Sequence, residues 1–169
     1  MLVTIRPAVP SEAEVLTGLA LVGKRHWGYP EPWLQTWRGL LAISPDYVAA
    51  HVVYCAEDGT GRVVGFYALE HDGGGCRLEH LWLEPSLIGT GLGRRLFEHA
   101  VEAARALGAA EMLIEADPNA EGFYLHMGAR RVGETVSRLT GTERVLPQLC
   151  YALPGTSEPH ATAPGREVQ

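Results

Sequence analysis

Apolar and polar positions are patterned most sharply over residues 78–108, LEHLWLEPSLIGTGLGRRLFEHAVEAARALG. The apolar run 78–83 predicts a strand. Leu92, Leu96, Ala100, Ala103, Ala104 and Leu107 then recur at helical spacing, with Phe97 and Val101 at the edge of the stripe. Arg94, Arg95, Glu98, Glu102 and Arg105 fall outside it, which predicts a one-sided helix closed by Gly108. Upstream, the pattern predicts a strand over 3–6 and a helix running to about residue 24, with Ser11 as its cap. Gly28-Tyr29-Pro30 breaks that helix, and a second one over 32–43 stops at Ser44-Pro45-Asp46. Runs 51–57 and 62–71 read as a hairpin, followed by a turn over 72–75 and the strand ending at residue 83.

Downstream, 111–117 reads as a strand and 119–127 as a short helix ended by Gly128. Strands follow over 130–134 and 147–153, and the polar stretch 135–144 between them reads as a loop. Early helices, a hairpin and then β-α-β-α-β define an α/β class with a mixed sheet.

The chain has 169 residues, 46% hydrophobic and 20% charged, enough for one domain over 1–153 with a real core. Residues 154–169 have the Pro- and Gly-containing composition of a tail. A net charge of −6 argues against a nucleic-acid surface. Cys55, Cys76 and Cys150 show no paired spacing and read as reduced thiols. No signal-peptide pattern opens the chain, and no apolar run approaches the ~18 residues of a membrane span. These features set the expectation of a cytoplasmic protein that binds no membrane. Histidine and cysteine spacing fits no metal site.

Strand, glycine-rich turn Gly89-Thr90-Gly91-Leu92-Gly93 and helix together offer bare backbone N–H groups to a phosphate. The glycines permit positive φ and close approach, and the helix start adds unpaired donors. An ATP or GTP loop would need Gly-Lys-Ser/Thr before the helix, where Gly93-Arg94-Arg95 stands. A dinucleotide fingerprint would need a glycine at Arg94 or at Leu96.

The remaining pattern, x-x-x-G-x-G over 88–93, resembles the acyl-CoA pyrophosphate loop of the GNAT superfamily of N-acyltransferases. The later segment EADPNAEGFYLHMGA, 115–129, resembles that family's fifth strand, its Asn-Ala helix start and its F-Y-x-x-x-G-A ending. The likeness spans roughly residues 2–153 and is tight over 78–133. It departs from the family at Ile88, where Gln or Arg is usual.

The resemblance implies a mostly antiparallel central sheet flanked by helices, with splayed fourth and fifth strands. It implies acetyl-CoA as co-substrate and direct transfer of its acetyl group to an amine in a ternary complex. Gly89, Thr90, Gly91, Leu92, Gly93 and Arg94 would hold the pyrophosphate. Leu81, Trp82 and Leu83 would pair with the pantetheine arm, and Asn119 would hydrogen-bond to it or simply cap its helix. Tyr124 is the candidate acid for the departing thiolate, with packing beside Phe123 as its alternative. The acceptor is a small-molecule or peptide amine, and a homodimer is compatible with the family. A non-catalytic acyl-CoA-binding module is the rival reading.

Acyl transfer also needs a group to handle the amine, whose pKa is about 10.4 when lysine-like. Glu79 is the first candidate: a carboxylate amid Leu78, Leu81 and Trp82 is unusual for a core strand. Strand alternation would set it on one face with Arg77, Leu81 and Leu83, and His80, the second candidate, on the other. Trp27 and Tyr29, at the break after the first helix, are candidate acceptor-pocket residues in a region also rich in Lys24, Trp33 and Trp37.

Overall fold

A computed structural model describes residues 2–155 except Gly74. The tail, from residue 156 on, and part of the 72–75 turn lie outside the described residues. The strands are β1 (Val3–Pro7), β2 (Val52–Asp58), β3 (Val63–Asp72), β4 (Gly75–Leu83), β5 (Glu111–Glu115), β6 (Arg130–Ser137) and β7 (Arg144–Ala152). They form one sheet in the order β1-β2-β3-β4-β5-β7-β6. All neighbours are antiparallel except β4 and β5. The expected α/β class with a mixed, mostly antiparallel sheet is the observed one.

Helices cover both faces: α1 (Ala13–His26), α2 (Glu31–Leu41), α3 (Pro45–Ala50), α4 (Leu92–Ala106) and α5 (Glu121–His126). On one face α4 buries Leu92, Leu96, Phe97, Ala100, Val101 and Ala104 against Tyr67, Met112, Ile114 and Leu149. Each such buried Leu or Phe contributes roughly 1.5–3 kcal/mol. On the other face Leu16 and Leu19 of α1 pack on Val53, Cys55, Phe66 and Ala68. Strand β3 is covered on both sides, which is why residues 63–69 are apolar without alternation.

The feature that creates the site is the parting of β4 from β5. Only Cys76↔Met112 and Arg77↔Leu113 pair across them. Immediately beyond, the β3–β4 register slips: Leu69 faces Leu78 and Ala68 faces His80, leaving Glu79 without a partner. Such a bulge bends its strand and increases its twist. β4 therefore runs on to Leu83 held by β3 alone, and its other edge is open. This is the expected splay, with a local cause.

Several boundaries differ from the sequence reading. Ser11 does not cap α1. A short 3-10 turn, Pro10–Glu12, precedes the helix, and the Glu12 carboxylate accepts from Val9 N–H at 2.9 Å and pairs with Arg6 at 2.7 Å. The second helix stops at Leu41, where Ala42 turns extended, and Ser44-Pro45-Asp46 instead starts α3: Ser44 Oγ accepts from Tyr47 N–H at 3.0 Å. The strand expected to reach residue 117 stops at Glu115, because Asp117 caps the turn that follows and accepts from Asn119 N–H at 2.9 Å. The loop expected over 135–144 is shorter, 138–143, since β6 and β7 extend into its ends and pair from Thr135↔Leu146 to Ser137↔Arg144. β6 is an edge strand exposed on both faces, so it carries no apolar alternation to read.

Trp82 lies flat against α1 at Gly23, where a Cβ would stand 2.6 Å from the indole Cε3. Gly23→Ala is therefore expected to displace the indole and lower stability by about 1–3 kcal/mol. Denaturant unfolding checks this; equal stability would mean that the indole does not rest on the helix.

Candidate functional site

The glycine turn behaves as its sequence predicts. Gly89 and Gly91 have φ of +82° and +90°, conformations that favour glycine. Thr90 closes the turn with both its N–H and its hydroxyl on Leu87 C=O, at 3.2 and 2.7 Å. Leu92 turns its side chain into the core and offers only backbone. Arg95 makes the first helical bond, to Gly91 C=O at 3.1 Å. The N–H groups of Gly89, Gly91, Leu92, Gly93 and Arg94 thus have no acceptor among the described residues. They lie at and just before the positive end of a 15-residue helix, the physical makings of an anion site.

A cleft of about 490 Å³ begins at this loop. Gly89, Gly91, Gly93 and Arg94 line it at one end, and Leu81, Trp82, Leu83, Asn119 and Tyr124 at the other. It follows the open edge of β4. Ile88, half exposed, contributes an apolar wall, while Arg94 and His126 bring the polar groups nearest the loop and approach each other at 3.4 Å.

A second cavity of about 460 Å³ adjoins the first. Trp27, Leu81, Trp82, Ala120 and Tyr124 line both. Tyr124 is buried at the junction, and its hydroxyl has no hydrogen-bond partner among the described residues. Burial, with the Asp117 charge adding, holds its phenol well above the usual value, so it stays protonated.

Glu79 and His80 both line the second cavity, which corrects the expectation that they face opposite ways. The bulge at Glu79 breaks the alternation on which that expectation rested. Burial raises the Glu79 carboxyl, reinforced by Glu70 and opposed by Arg77. Arg77 is its weak partner at 3.9 Å. His80 is a poor base: burial pushes it down to about 4, and its Nδ1 already accepts from Trp82 Nε1 at 3.2 Å.

The sequence reading missed the group that locks these walls together. Asp117 accepts from Lys24 Nζ at 2.5 Å, from Tyr29 Oη at 3.0 Å and from Arg144 Nη2 at 3.2 Å. It therefore ties α1, the end of β5 and the start of β7. Asn119 joins through its side-chain amide, which donates to Asp117 at 2.9 Å and to Tyr29 Oη at 3.1 Å. Asp117, not Asn119, is the cap of this turn. Tyr29 lines neither cavity. Its ring stacks on Trp33 and meets Trp37 edge-on, and its hydroxyl belongs to the network.

The Lys24 ammonium sits among the rings of Trp27, Tyr29, Trp37 and Trp82, 4.8–5.9 Å from their centroids. Burial lowers its pKa, and Asp117 opposes that. Burial alone would raise Asp117, but Lys24 and the hydrogen bonds outweigh it, so its carboxyl lies below the ordinary value. Asp117 followed by Pro118 is a readable cap signature. Nothing local links it to Arg144.

Residues 49–128 match the family described as the acetyltransferase (GNAT) domain. Over that stretch the chain is similar to GNAT acetyltransferases, a family whose chemistry is acetyl transfer. No curated protein sequence matches the chain. Among solved structures, a GCN5-related N-acetyltransferase from Rhodopseudomonas palustris is similar, at 21% identity and a TM-score of 0.73, covering 90% of this chain and 99% of that one. The PaiA N-acetyltransferase from Thermoplasma acidophilum, in complex with coenzyme A, shares 17% identity over 90% of this chain and 99% of its own, with a TM-score of 0.70. YncA from Salmonella typhimurium, with its cofactor acetyl-CoA, shares 19% identity over 95% of this chain and 99% of its own, with a TM-score of 0.66. These likenesses concern the fold. No helix among the described residues is long and apolar enough to cross a membrane.

Asp117→Ala would leave two cations enclosed without their carboxylate, and is expected to cost about 3–5 kcal/mol. Because the folded carboxyl titrates below its unfolded value of about 3.9, its contribution is complete above that pH and is lost as pH falls through the folded pKa. Urea unfolding at pH 7 and at pH 3 should show a stability gap between wild type and variant that narrows at the lower pH. A gap equal at both would remove Asp117 as the anchor.

Proposed function

We propose that the protein is an N-acetyltransferase that moves the acetyl group of acetyl-CoA to a primary amine by direct attack in a ternary complex. One observation carries this reading: a single cleft runs from five unpaired backbone N–H groups, along an open strand edge, to a buried tyrosine where a second cavity begins. A phosphate group, an extended amide-bearing arm and a thioester match those three stations in order. The coenzyme A and acetyl-CoA complexes of two similar folds support the same cofactor.

In this reading Gly89, Gly91, Gly93 and Arg94 receive the pyrophosphate on backbone N–H groups, with the Arg94 side chain adding charge. Leu81, Trp82 and Leu83 offer strand-like pairing to pantetheine, and Asn119 closes the opposite wall. Ile88 contributes packing where the family usually has a polar side chain, so the backbone supplies most of the donors. The acceptor enters from the second cavity past Trp27.

The neutral amine attacks the thioester carbonyl, and the C–S bond breaks as the amide C–N bond forms. The nitrogen loses one proton, for which Glu79 is the available carboxylate, its basicity increased by burial. The thiolate takes up one proton. Tyr124, kept protonated by its surroundings, donates toward the sulfur, and free thiols hold a proton up to about pH 8.5. No net proton is left over between a neutral amine and a neutral thiol.

Tyr124→Phe should lower kcat by about 10²–10⁴-fold while acetyl-CoA affinity changes little. Stopped-assay thiol release together with calorimetry separates the two quantities, and an unchanged kcat would remove Tyr124 from the mechanism. Gly91→Val cannot adopt φ near +90° without strain. It should abolish measurable acetyl-CoA binding in a folded protein, and retained affinity would place the cofactor elsewhere.

A further inference from the structure

We infer that the acceptor is an amino acid, bearing a free carboxylate beside its amine, and that Arg144 is the specificity-determining residue that receives this carboxylate. The inference rests on the acetyl-transfer reading above and names the substrate class for the same site.

The second cavity is lined by three cations, Lys24, Arg77 and Arg144, and three carboxylates, Glu79, Glu115 and Asp117. The charges cancel in sum but are unevenly placed. At the corner where α1 meets β7, two cations share one carboxylate. Asp117 is saturated: Oδ1 accepts from Asn119 N–H, the Asn119 amide and Tyr29, while Oδ2 accepts from Lys24, Tyr29 and Arg144. It has little left to give a second cation. The corner therefore carries an uncompensated positive charge in a place where both cationic side chains are only 11% exposed.

Arg144 has the donors to use it. Its Nη2 donates to Tyr29 Oη at 2.8 Å and to Asp117 at 3.2 Å. Its Nε and Nη1 have no protein partner among the described residues. The guanidinium plane is fixed against Tyr29 and Trp37, 4.8 and 4.7 Å from their ring centroids. With Nη2 occupied, Nε–H and Nη1 remain as single donors on different edges of a permanently charged, immobilised guanidinium, able to receive one oxygen of a carboxylate in the cavity. Lys24 is less available, since its ammonium is enclosed by four rings and Asp117.

The opposite pole lies along the parting of β4 and β5. Glu79 has only a 3.9 Å contact with Arg77, and Glu115 accepts from Gln148 at 2.5 Å. Glu115 is two residues before Asp117, so the two poles stand on the order of 7 Å apart along the chain. A neutral cavity with a carboxylate pole for an ammonium and a guanidinium pole for a carboxylate fits a zwitterion. A plain amine would leave the Arg144 donors unpaired, which is how a polar pocket rejects an analogue lacking one group.

The test measures acetyl-CoA-dependent thiol release with each free amino acid against its own carboxamide. At least one amino acid should be acetylated with a kcat/KM about tenfold or more above its carboxamide, the difference lying in KM. Arg144→Gln should bring that ratio near one, and Arg144→Lys, which keeps the charge but not the fixed planar donors, should fall between. Thermal unfolding of both variants is recorded alongside, and the wild-type ratio decides the question even if neither variant folds. Carboxamides used as well as acids, or no amino acid acetylated by protein that binds acetyl-CoA, overturns the inference and leaves acetyl transfer standing. Absence of acetyl-CoA binding itself overturns the underlying reading and this inference with it.

Discussion

The site depends on one constraint, the loss of pairing between β4 and β5 beyond Arg77. Two parallel pairs hold these strands, and the unpaired Glu79 then bends β4 away. An open strand edge inside a domain is costly, because its backbone groups lose partners. Here it faces a cleft, and the same cleft ends at another set of unpaired backbone groups on the glycine turn. Unsatisfied main-chain donors at both stations, in a fold whose other elements are conventionally paired, distinguish this cleft from a packing defect.

Keeping two strands apart requires support from outside the sheet. Trp82 leans on α1 at Gly23, and Lys24, one residue on, reaches Asp117 at the end of β5. Arg144 reaches the same carboxylate from the start of β7. α1 and the two strands beyond the gap are thereby braced across it. A buried cluster of two cations and one anion is an expensive brace compared with apolar packing. Its retention beside the cavity is explained if one of the cations also has a ligand to meet.

Legibility in the sequence follows the physical origin of each element. The span 78–108 was readable because one face of its helix is buried and its turn needs positive φ, and both leave marks on residue choice. Strand β6 left none, since both faces are exposed. The α3 helix hid behind Ser44-Pro45-Asp46, a signature that reads as a helix stop as readily as a helix start. Glu79 stands out in the sequence as a carboxylate in an apolar strand, but its direction is not readable there: a bulge breaks alternation without altering composition. Tyr29 looked like a pocket residue by position and proved to be a member of the Asp117 network. Arg144 lay in a stretch read as a loop, and its contact with Asp117 spans 27 positions that no local pattern connects.

The central claim is that the gap between β4 and β5, with the glycine turn at its mouth, receives an acyl-CoA. Amide NMR during titration with acetyl-CoA tests it most directly. The account predicts saturable shifts concentrated at the N–H groups of Gly89, Gly91, Gly93 and Arg94 and along residues 81–83, with the far edge of the sheet at β1 and β2 unmoved. Saturable shifts that spare the turn and the β4 edge would contradict it.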